Sequence, residues 1–524
     1  MRVGIVGAGA SGLVAAKELL EMGDCSSVEV FESRSSIGGV FSSSYPGLRL
    51  VNNPCLVAFS DFLPDVDSGC MDMWSAAQYL RYLEDYVDEF SLRQCINFDS
   101  KVVRVRKQGR EWLVRYEYSG IEREKVFDHL VVCSGVNMSP RRISLPGQDD
   151  FHGDILHGAD IKEKDVFNGR KVVFVGLGET GSDLVEMACE NGAEVSVSVR
   201  RWPGYFIQRY HDGKPTDLDT SILYHCLPRK INQTFLGGLL RLKRSVERGM
   251  IRSGRGREVQ EAIDFLNNGY RDVAGLGPFR RITTKSEGFI ERYLSNPGIL
   301  KRGISRVHAA GVSFEGGEYV DADMIVMCTG YGHDVAFLPD EMSREFTSRN
   351  MYHYMFPLHD DSISFVGFVR PGVGAIPPLS ELQARCLALK LAGKYTLPSL
   401  EERKASIENF RALFEEQFPK DYQRIPHIVD FYTYIVSLAG AIGAMPRQGR
   451  LFRQSIRLWY KVNASFLCPG IFRLHGPGAK PHLVVDKIKN LPTMPKRVLL
   501  IEVVAFLLCK IFHALGADKY RVIK

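Results

Sequence analysis

The first thirty-odd residues constrain this chain most. Residues 3–6 (Val-Gly-Ile-Val) read as a short buried strand, Gly7-Ala8-Gly9-Ala10-Ser11-Gly12 follows at once, and residues 13–22 read as a helix. Residues 28–31 read as a second strand that ends in Glu32. Strand, glycine turn, helix, strand and acid, in that order, describe a dinucleotide-binding βαβ unit. Gly7 allows the tight turn, Gly9 lets a pyrophosphate approach the backbone, and Gly12 lets helix and strand pack closely. The helix N-terminus supplies unpaired N–H groups and positive dipole charge for phosphates. Glu32 stands 20 residues beyond Gly12, where a carboxylate takes the ribose hydroxyls of the nucleotide.

A second unit of the same kind lies further on. Residues 171–175 form a strand, Gly176-Leu177-Gly178-Glu179-Thr180-Gly181 the turn, residues 182–191 a helix and residues 194–199 the next strand. That strand ends in Arg200-Arg201 instead of an acid. An arginine there accommodates a 2′-phosphate that a carboxylate would repel, so the first site suits FAD or NAD and the second NADP. The alternative for Arg200 and Arg201 is a solvated strand end. Between the motifs, Gly38-Gly39 either brings the backbone close to a flat ligand or makes an ordinary turn. Asn52-Asn53-Pro54 is by itself turn chemistry.

The chain has 524 residues, enough for two or three domains. A net charge of +6 does not argue for nucleic acid, and 45% hydrophobic residues describe an ordinary globular protein. Eleven cysteines without a C-x-x-C pair, and the lack of H-E-x-x-H, argue for a reduced intracellular protein with no structural metal. The first strand begins at Arg2, so no signal peptide is expected, and the sequons at Asn232 and Asn463 carry no meaning. Residues 75–90 have helical spacing, residues 101–132 read as strands, and residues 203–300 form an insertion. Within it, residues 235–250 form a basic amphipathic helix that either lies on a membrane surface or packs on its own domain. The strand ending in Thr329-Gly330-Tyr331 echoes the one ending at Gly135; both carry the chain between two nucleotide domains. Residues 365–369 and 377–385 rejoin the first domain, and residues 401–418 form a charged helix. The apolar tail, residues 498–509, is broken by Glu502 and falls short of the roughly 20 residues of a spanning helix. It is a one-sided anchor or a helix against the protein's own surface.

These motifs, in this order, resemble the flavin-containing monooxygenases, in particular their eukaryotic, microsomal, dimethylaniline-monooxygenase-like branch. Phe151, Gly153, His157, Ile161 and Lys162 follow that family's F-x-G-x-x-x-H-x-x-x-(Y/F)-(K/P) pattern, with Ile161 in place of the aromatic. Thr329-Gly330-Tyr331 resembles its linking motif, Gly367 to Gln383-Ala384-Arg385 its return to the flavin domain, and Phe472 to Gly478 its C-terminal block. Phe41 departs from the tryptophan of many members. The fold implied is α/β: two Rossmann-like domains for FAD and NADPH, the second inserted into the first, with a helical insertion and a C-terminal extension. Its boundaries are 1–145 and 336–395 for the FAD domain, 146–335 for the NADPH domain with its insertion at about 203–300, and 396–524 for a helical region with the apolar tail.

The resemblance implies that NADPH reduces FAD, that the reduced flavin and dioxygen form a C4a-hydroperoxide, and that a soft amine nitrogen or sulfur of a small substrate takes one oxygen atom. Gly7, Gly9, Ser11, Gly12, Glu32, Gly39, Asn52 and Gln383 would hold FAD. Gly176, Gly178, Thr180, Gly181 and Arg200 would hold NADPH. Asn52 matches the asparagine beside the reacting flavin carbon and is the catalytic candidate; His157 is a domain-packing residue. Competing readings are Baeyer–Villiger oxidation of a ketone, against which Lys162 speaks, an NADPH oxidase that yields peroxide, and a disulfide reductase, which lacks its cysteine pair. No nucleic-acid partner is expected, while membrane-surface contact and an oligomer stay open. The expected location is the cytoplasm or the periphery of the endoplasmic reticulum membrane.

Overall fold

The structure is a computed structural model and describes residues 1–65, 72–219, 221–269, 276–285 and 288–523. Its fold is α/β, as expected, built on two parallel five-stranded sheets. The first runs Ile363–Phe365, His129–Val132, Arg2–Val6, Ser27–Phe31, Ile96–Asn97. Arg2–Val6 is central and covered on both faces, which is why Val3, Ile5 and Val6 are all buried. The helix Ala10–Met22 lies directly on this strand, and a Cβ on Gly12 would come 1.8 Å from the Gly7 carbonyl oxygen.

The second sheet runs Leu300–Lys301, Glu194–Ser198, Lys171–Val175, Met324–Met327, Asp154–His157. Its glycine-turn helix is Glu179–Glu190. The chain crosses between the sheets twice, and the two crossings lie side by side: Ser139–Pro140 pairs antiparallel with Tyr331–Gly332. The Ser134 hydroxyl donates to the Asp334 carbonyl at 3.0 Å. His157 is buried behind this joint, its Nε2 donating to the Gly330 carbonyl at 3.1 Å and its Nδ1 accepting from Ala159 N–H at 3.0 Å.

The insertion carries the helices Gly237–Met250, Gly254–Gly269 and Gly288–Ser295. Of the two readings of the basic helix, packing on the protein itself is what Gly237–Met250 does: Leu240 and Lys243 are buried, and the tail helix Lys496–Ala514 covers them. The tail is not interrupted at Glu502. That carboxylate turns inward, accepting from the Ser221 hydroxyl at 2.5 Å and lying 3.5 Å from the Lys243 ammonium. Burial pushes its pKa up to about 7, Lys243 opposing the shift. Among the described residues, no helix is long and apolar enough to cross a membrane.

The C-terminal block is fastened by one buried guanidinium. Arg473 donates from Nε to the Ser60 hydroxyl at 2.7 Å, from Nη2 to Glu381 at 2.8 Å and from Nη1 to the Gly478 carbonyl at 2.9 Å. It also pairs with Glu18 and lies 3.3 Å from Asp61. Lys17 and Lys480 each bridge Glu21 and Asp61, sharing the Asp61 Oδ2 with Arg473 while Oδ1 is buried without a partner. This cluster ties the Ala10–Met22 helix, the Ile376–Leu391 helix and the last quarter of the chain into one body.

Candidate active site

The carboxyl ends of both sheets open on one continuous cavity of about 1550 Å³. Gly7, Gly9, Ser11, Glu32, Gly39 and Asn52 line it from the first unit. Gly176, Gly178, Thr180, Gly181 and Arg200 line it from the second.

In the first turn Gly7 has φ +102°, and a Cβ there would sit 2.9 Å from the Cys133 carbonyl. The helix after it begins at Gly9 with no side-chain cap and no acid in its first turn, so its first N–H groups face the cavity unclaimed. Gly39 crosses opposite Gly9, where a Cβ on Gly9 would meet the Gly39 Cα at 3.6 Å. Glu32 is buried at the strand end, one oxygen accepting from Ala8 N–H at 2.8 Å and the other from Arg34 N–H at 3.0 Å. This is a preformed cradle: a carboxylate fixed at the strand end beside an uncapped helix start.

The second turn repeats the geometry with more room. Gly176 has φ +98°, but a Cβ on Gly178 would meet nothing within 4 Å. Beyond Ser198 the strand ends in Arg200 and Arg201, both exposed, and among the described residues neither pairs with a carboxylate. The two sites thus present an acid and a base at corresponding strand ends, and the residues present fit a flavin nucleotide in the first and a phosphorylated nicotinamide nucleotide in the second.

Two of the expected residues do not face the cavity. Gly12 is the helix–strand contact already described. Gln383 is fully buried, its Oε1 accepting from Gly367 N–H at 2.9 Å and its Nε2 donating to the Tyr434 hydroxyl at 2.7 Å. It fixes the Gly367 turn, and Gly367 lines the cavity.

Asn52 is buried, and its Nδ2 donates to Asp217 at 3.2 Å. The other Asp217 oxygen accepts from Asn53 N–H at 2.7 Å. Lys285 pairs with Asp217, and the Lys285 backbone N–H donates to Glu179 at 2.9 Å. A polar chain therefore runs from Asn52 in the first unit to Glu179 in the second turn, through two residues of the insertion. The second Glu179 oxygen is buried without a partner. Burial first, then the neighbouring Asp183, pushes the Glu179 pKa up to about 7. Asp183 is itself held by Arg209 at 2.7 Å and the Tyr45 hydroxyl at 2.8 Å. No local pattern marks Asp217 or Lys285, while Glu179 stands in plain view between the glycines.

The departures from the family pattern are accommodated by packing. Phe41 stands edge-on to Tyr79, ring centroids 4.8 Å apart, and Ile161 is buried. Lys162 reaches across to the Ser43 carbonyl at 2.5 Å, joining the second unit to the loop after Gly39.

Comparison with known proteins agrees with this geometry. The family described as flavin-binding monooxygenase-like matches residues 1–248 and 284–490. A 4-hydroxybenzoate brominase (decarboxylating) from Marinomonas mediterranea is 31% identical over 100% of this chain and 99% of its own length. Human flavin-containing monooxygenase 5 is 27% identical over 91% of this chain and 89% of its own. Among solved structures, S-allyl-L-cysteine S-oxygenase from Allium sativum shares the fold at a TM-score of 0.58 and 23% identity, covering 93% of this chain and 97% of its own. Cyclohexanone monooxygenase does so at a TM-score of 0.60 and 18% identity, over 84% and 98%. On the family match over most of its length and a full-length relative near one-third identity, this chain belongs to the flavin-binding monooxygenases, oxidoreductases for which FAD and NADPH are the implied cofactors.

Proposed function

We propose that this enzyme transfers one oxygen atom from dioxygen to a soft nucleophile of a small molecule, an amine nitrogen or a sulfur, at the cost of NADPH. The observation that carries the reading is the pair of unlike strand ends, Glu32 and Arg200, opening on one cavity with Asn52 in its wall. FAD belongs in the first unit, residues 1–145 with the return at 336–395, and NADPH in the second, residues 146–335. When bound, FAD supplies the reaction with dioxygen and the oxygen transfer. The protein's part is to bind, orient and keep water out. The glycine turns and their helix starts hold the two pyrophosphates, Glu32 the ribose hydroxyls and Arg200 the 2′-phosphate. Asp217 fixes the Asn52 amide, leaving its second N–H and its carbonyl for the flavin edge or the nicotinamide ribose. Burial and the neighbouring Asp183 raise the Glu179 pKa to about 7 at the floor of the second turn, which suits it to hold a proton there.

A second reading is favoured by the full-length brominase relatives at 31% and 30% identity. Bromide is also a soft nucleophile and would use the same oxygen donor. Labelled dioxygen offered with a thioether, a tertiary amine, a cyclic ketone, or bromide plus 4-hydroxybenzoate separates the readings. Label in a sulfoxide or N-oxide is the expected result. Label in a lactone, or an unlabelled brominated phenol formed while the label passes to water, moves the assignment, and peroxide equal to NADPH consumed under every condition overturns it.

We also propose that the protein touches a membrane surface through its tail. Leu500, Val504, Leu507 and Ile511 are exposed along one side of Lys496–Ala514, beside exposed Lys496, Arg497 and Lys510. An apolar stripe with a basic flank suits an anionic lipid surface. Co-sedimentation with anionic vesicles that disappears in L507E/I511E is expected; sedimentation unchanged by the pair removes the contact.

A further inference from the structure

Arg370 lies in the segment that returns the chain to the first sheet, between Gly367 and the helix Ile376–Leu391. Its backbone is held firmly: Arg370–Pro371 pairs in parallel with Ile428–Val429, and Arg370 N–H donates to the His427 carbonyl at 2.7 Å. Its side chain lines the cavity. Among the described residues, no carboxylate, carbonyl or hydroxyl accepts from its guanidinium. A half-buried guanidinium that faces a cavity with no acceptor in reach is free to grip an anion there.

The protein offers no acid to complete it. The carboxylates whose charge acts on it are Glu179 and Asp421. Asp421 is engaged on both oxygens, accepting from Arg424 at 2.7 Å and from Ile282 N–H at 2.8 Å. Glu179 gives one oxygen to Lys285 N–H, and burial holds its carboxyl toward the neutral form. The nearby Arg424 adds to the positive charge instead of offsetting it, and with burial it lowers the Arg370 pKa. His427, on the neighbouring strand, feels the same field: burial, then the Arg370 charge, pushes its pKa down to about 3.

The cavity lining includes the apolar or small Ile282, Gly374, Ala375 and Ile376 together with the basic Lys420 and Arg424. The phosphates of the two nucleotides already have their places at the glycine turns and at Arg200. What remains is a net basic stretch of wall with apolar residues beside it, in which the Arg370 fork has no acceptor, an arrangement that recognises a carboxylate on a partly hydrophobic body.

We propose that Arg370 anchors the substrate: the molecule oxidised by this enzyme carries a carboxylate, which the Arg370 guanidinium grips in a two-point contact. The inference rests on the reading of the cavity as an oxygen-transfer site and names its substrate class. The chemistry would be shared by one other anion, a phosphate of NADPH, so the test has an arm for each.

Equilibrium binding to the oxidised FAD-loaded enzyme is measured by perturbation of the flavin spectrum, with benzoate against its neutral isostere benzamide, and with NADP⁺. The wild type is expected to bind benzoate at least tenfold more tightly than benzamide. R370Q and R370A are expected to bring the two probes within twofold while NADP⁺ affinity changes less than twofold; flavin content and the wild-type comparison guard against a misfolded variant. R370K is expected to restore part of the preference. Equal or absent binding of both probes by the wild type, or a preference that survives in R370Q, overturns the proposal. A tenfold loss of NADP⁺ affinity in R370Q assigns the cation to the nucleotide and overturns it as well. Because binding is read without turnover, a benzoate preference in an enzyme that transfers no oxygen would discard the oxygenase reading and leave the anion site standing.

Discussion

The two glycine turns are the same device built to different tolerances. Each places a glycine with φ near +100° beneath a carbonyl of the next strand, Cys133 for Gly7 and Cys328 for Gly176. In the first, a Cβ on Gly12 would lie 1.8 Å from the Gly7 carbonyl; in the second, a Cβ on Gly181 would lie 2.7 Å from that of Gly176. Gly39 closes over Gly9, whereas Gly178 faces open space. Glu32 is pinned by two backbone N–H groups, whereas Arg200 is exposed. A tight, pre-organised cradle loses little on ordering its ligand and suits a nucleotide that stays. A looser one with a solvated cation suits a nucleotide that exchanges.

The difference can be broken where it is greatest. G12A forces backbone apart and is expected to cost about 3 kcal/mol or more and to yield protein without flavin, while G181A should cost clearly less; thermal unfolding and the absorbance of the purified protein compare them. Equal losses would mean that the two turns are packed alike. Next in size, R200A is expected to weaken NADPH roughly tenfold to a hundredfold and NADH by less than twofold, since the lost contact is to a phosphate; titration of each cofactor checks it, and equal loss for both would remove the assignment. N52A should keep its flavin yet raise peroxide released per NADPH several-fold, with an unchanged ratio dismissing Asn52 from the chemistry. The smallest effect concerns Glu179. Its pKa is raised from 4.5 to about 7, so the folded protein holds the proton longer than the unfolded chain and loses stability as pH rises between those values. E179Q should flatten that slope in denaturant titrations at pH 5 and pH 8. An unaltered slope would place the titration elsewhere.

Much of this was readable because the motifs are local. A strand, its turn and its helix lie within some twenty residues, so Glu32 and Arg200 could be placed at strand ends by spacing alone. Asn52 and its partner Asp217 are 165 residues apart, and nothing in either segment announces the other. Gln383 lies on a helix buried on every side, so periodicity could not say that it faces Gly367 and Tyr434 instead of the nucleotide. The basic helix carried two readings because its cover, the tail helix, comes more than two hundred residues later. Glu502 looked like a break in an apolar run because its partners, Ser221 and Lys243, are equally remote. Arg370 stood between Val369 and Pro371 as a single charge after an apolar strand, a signal that goes unnoticed without the cavity behind it.

Arg473 has a practical consequence for anyone who shortens this chain. Removing it strands Glu18, Asp61 and Glu381 in a dry interior with too little positive charge, a fault that typically costs several kcal/mol. A stop codon ahead of it would therefore destabilise the Ala10–Met22 helix, more than 450 residues earlier in the chain. Trimming past Asn490 spares this cluster but uncovers Leu240 and Lys243, which the tail helix buries.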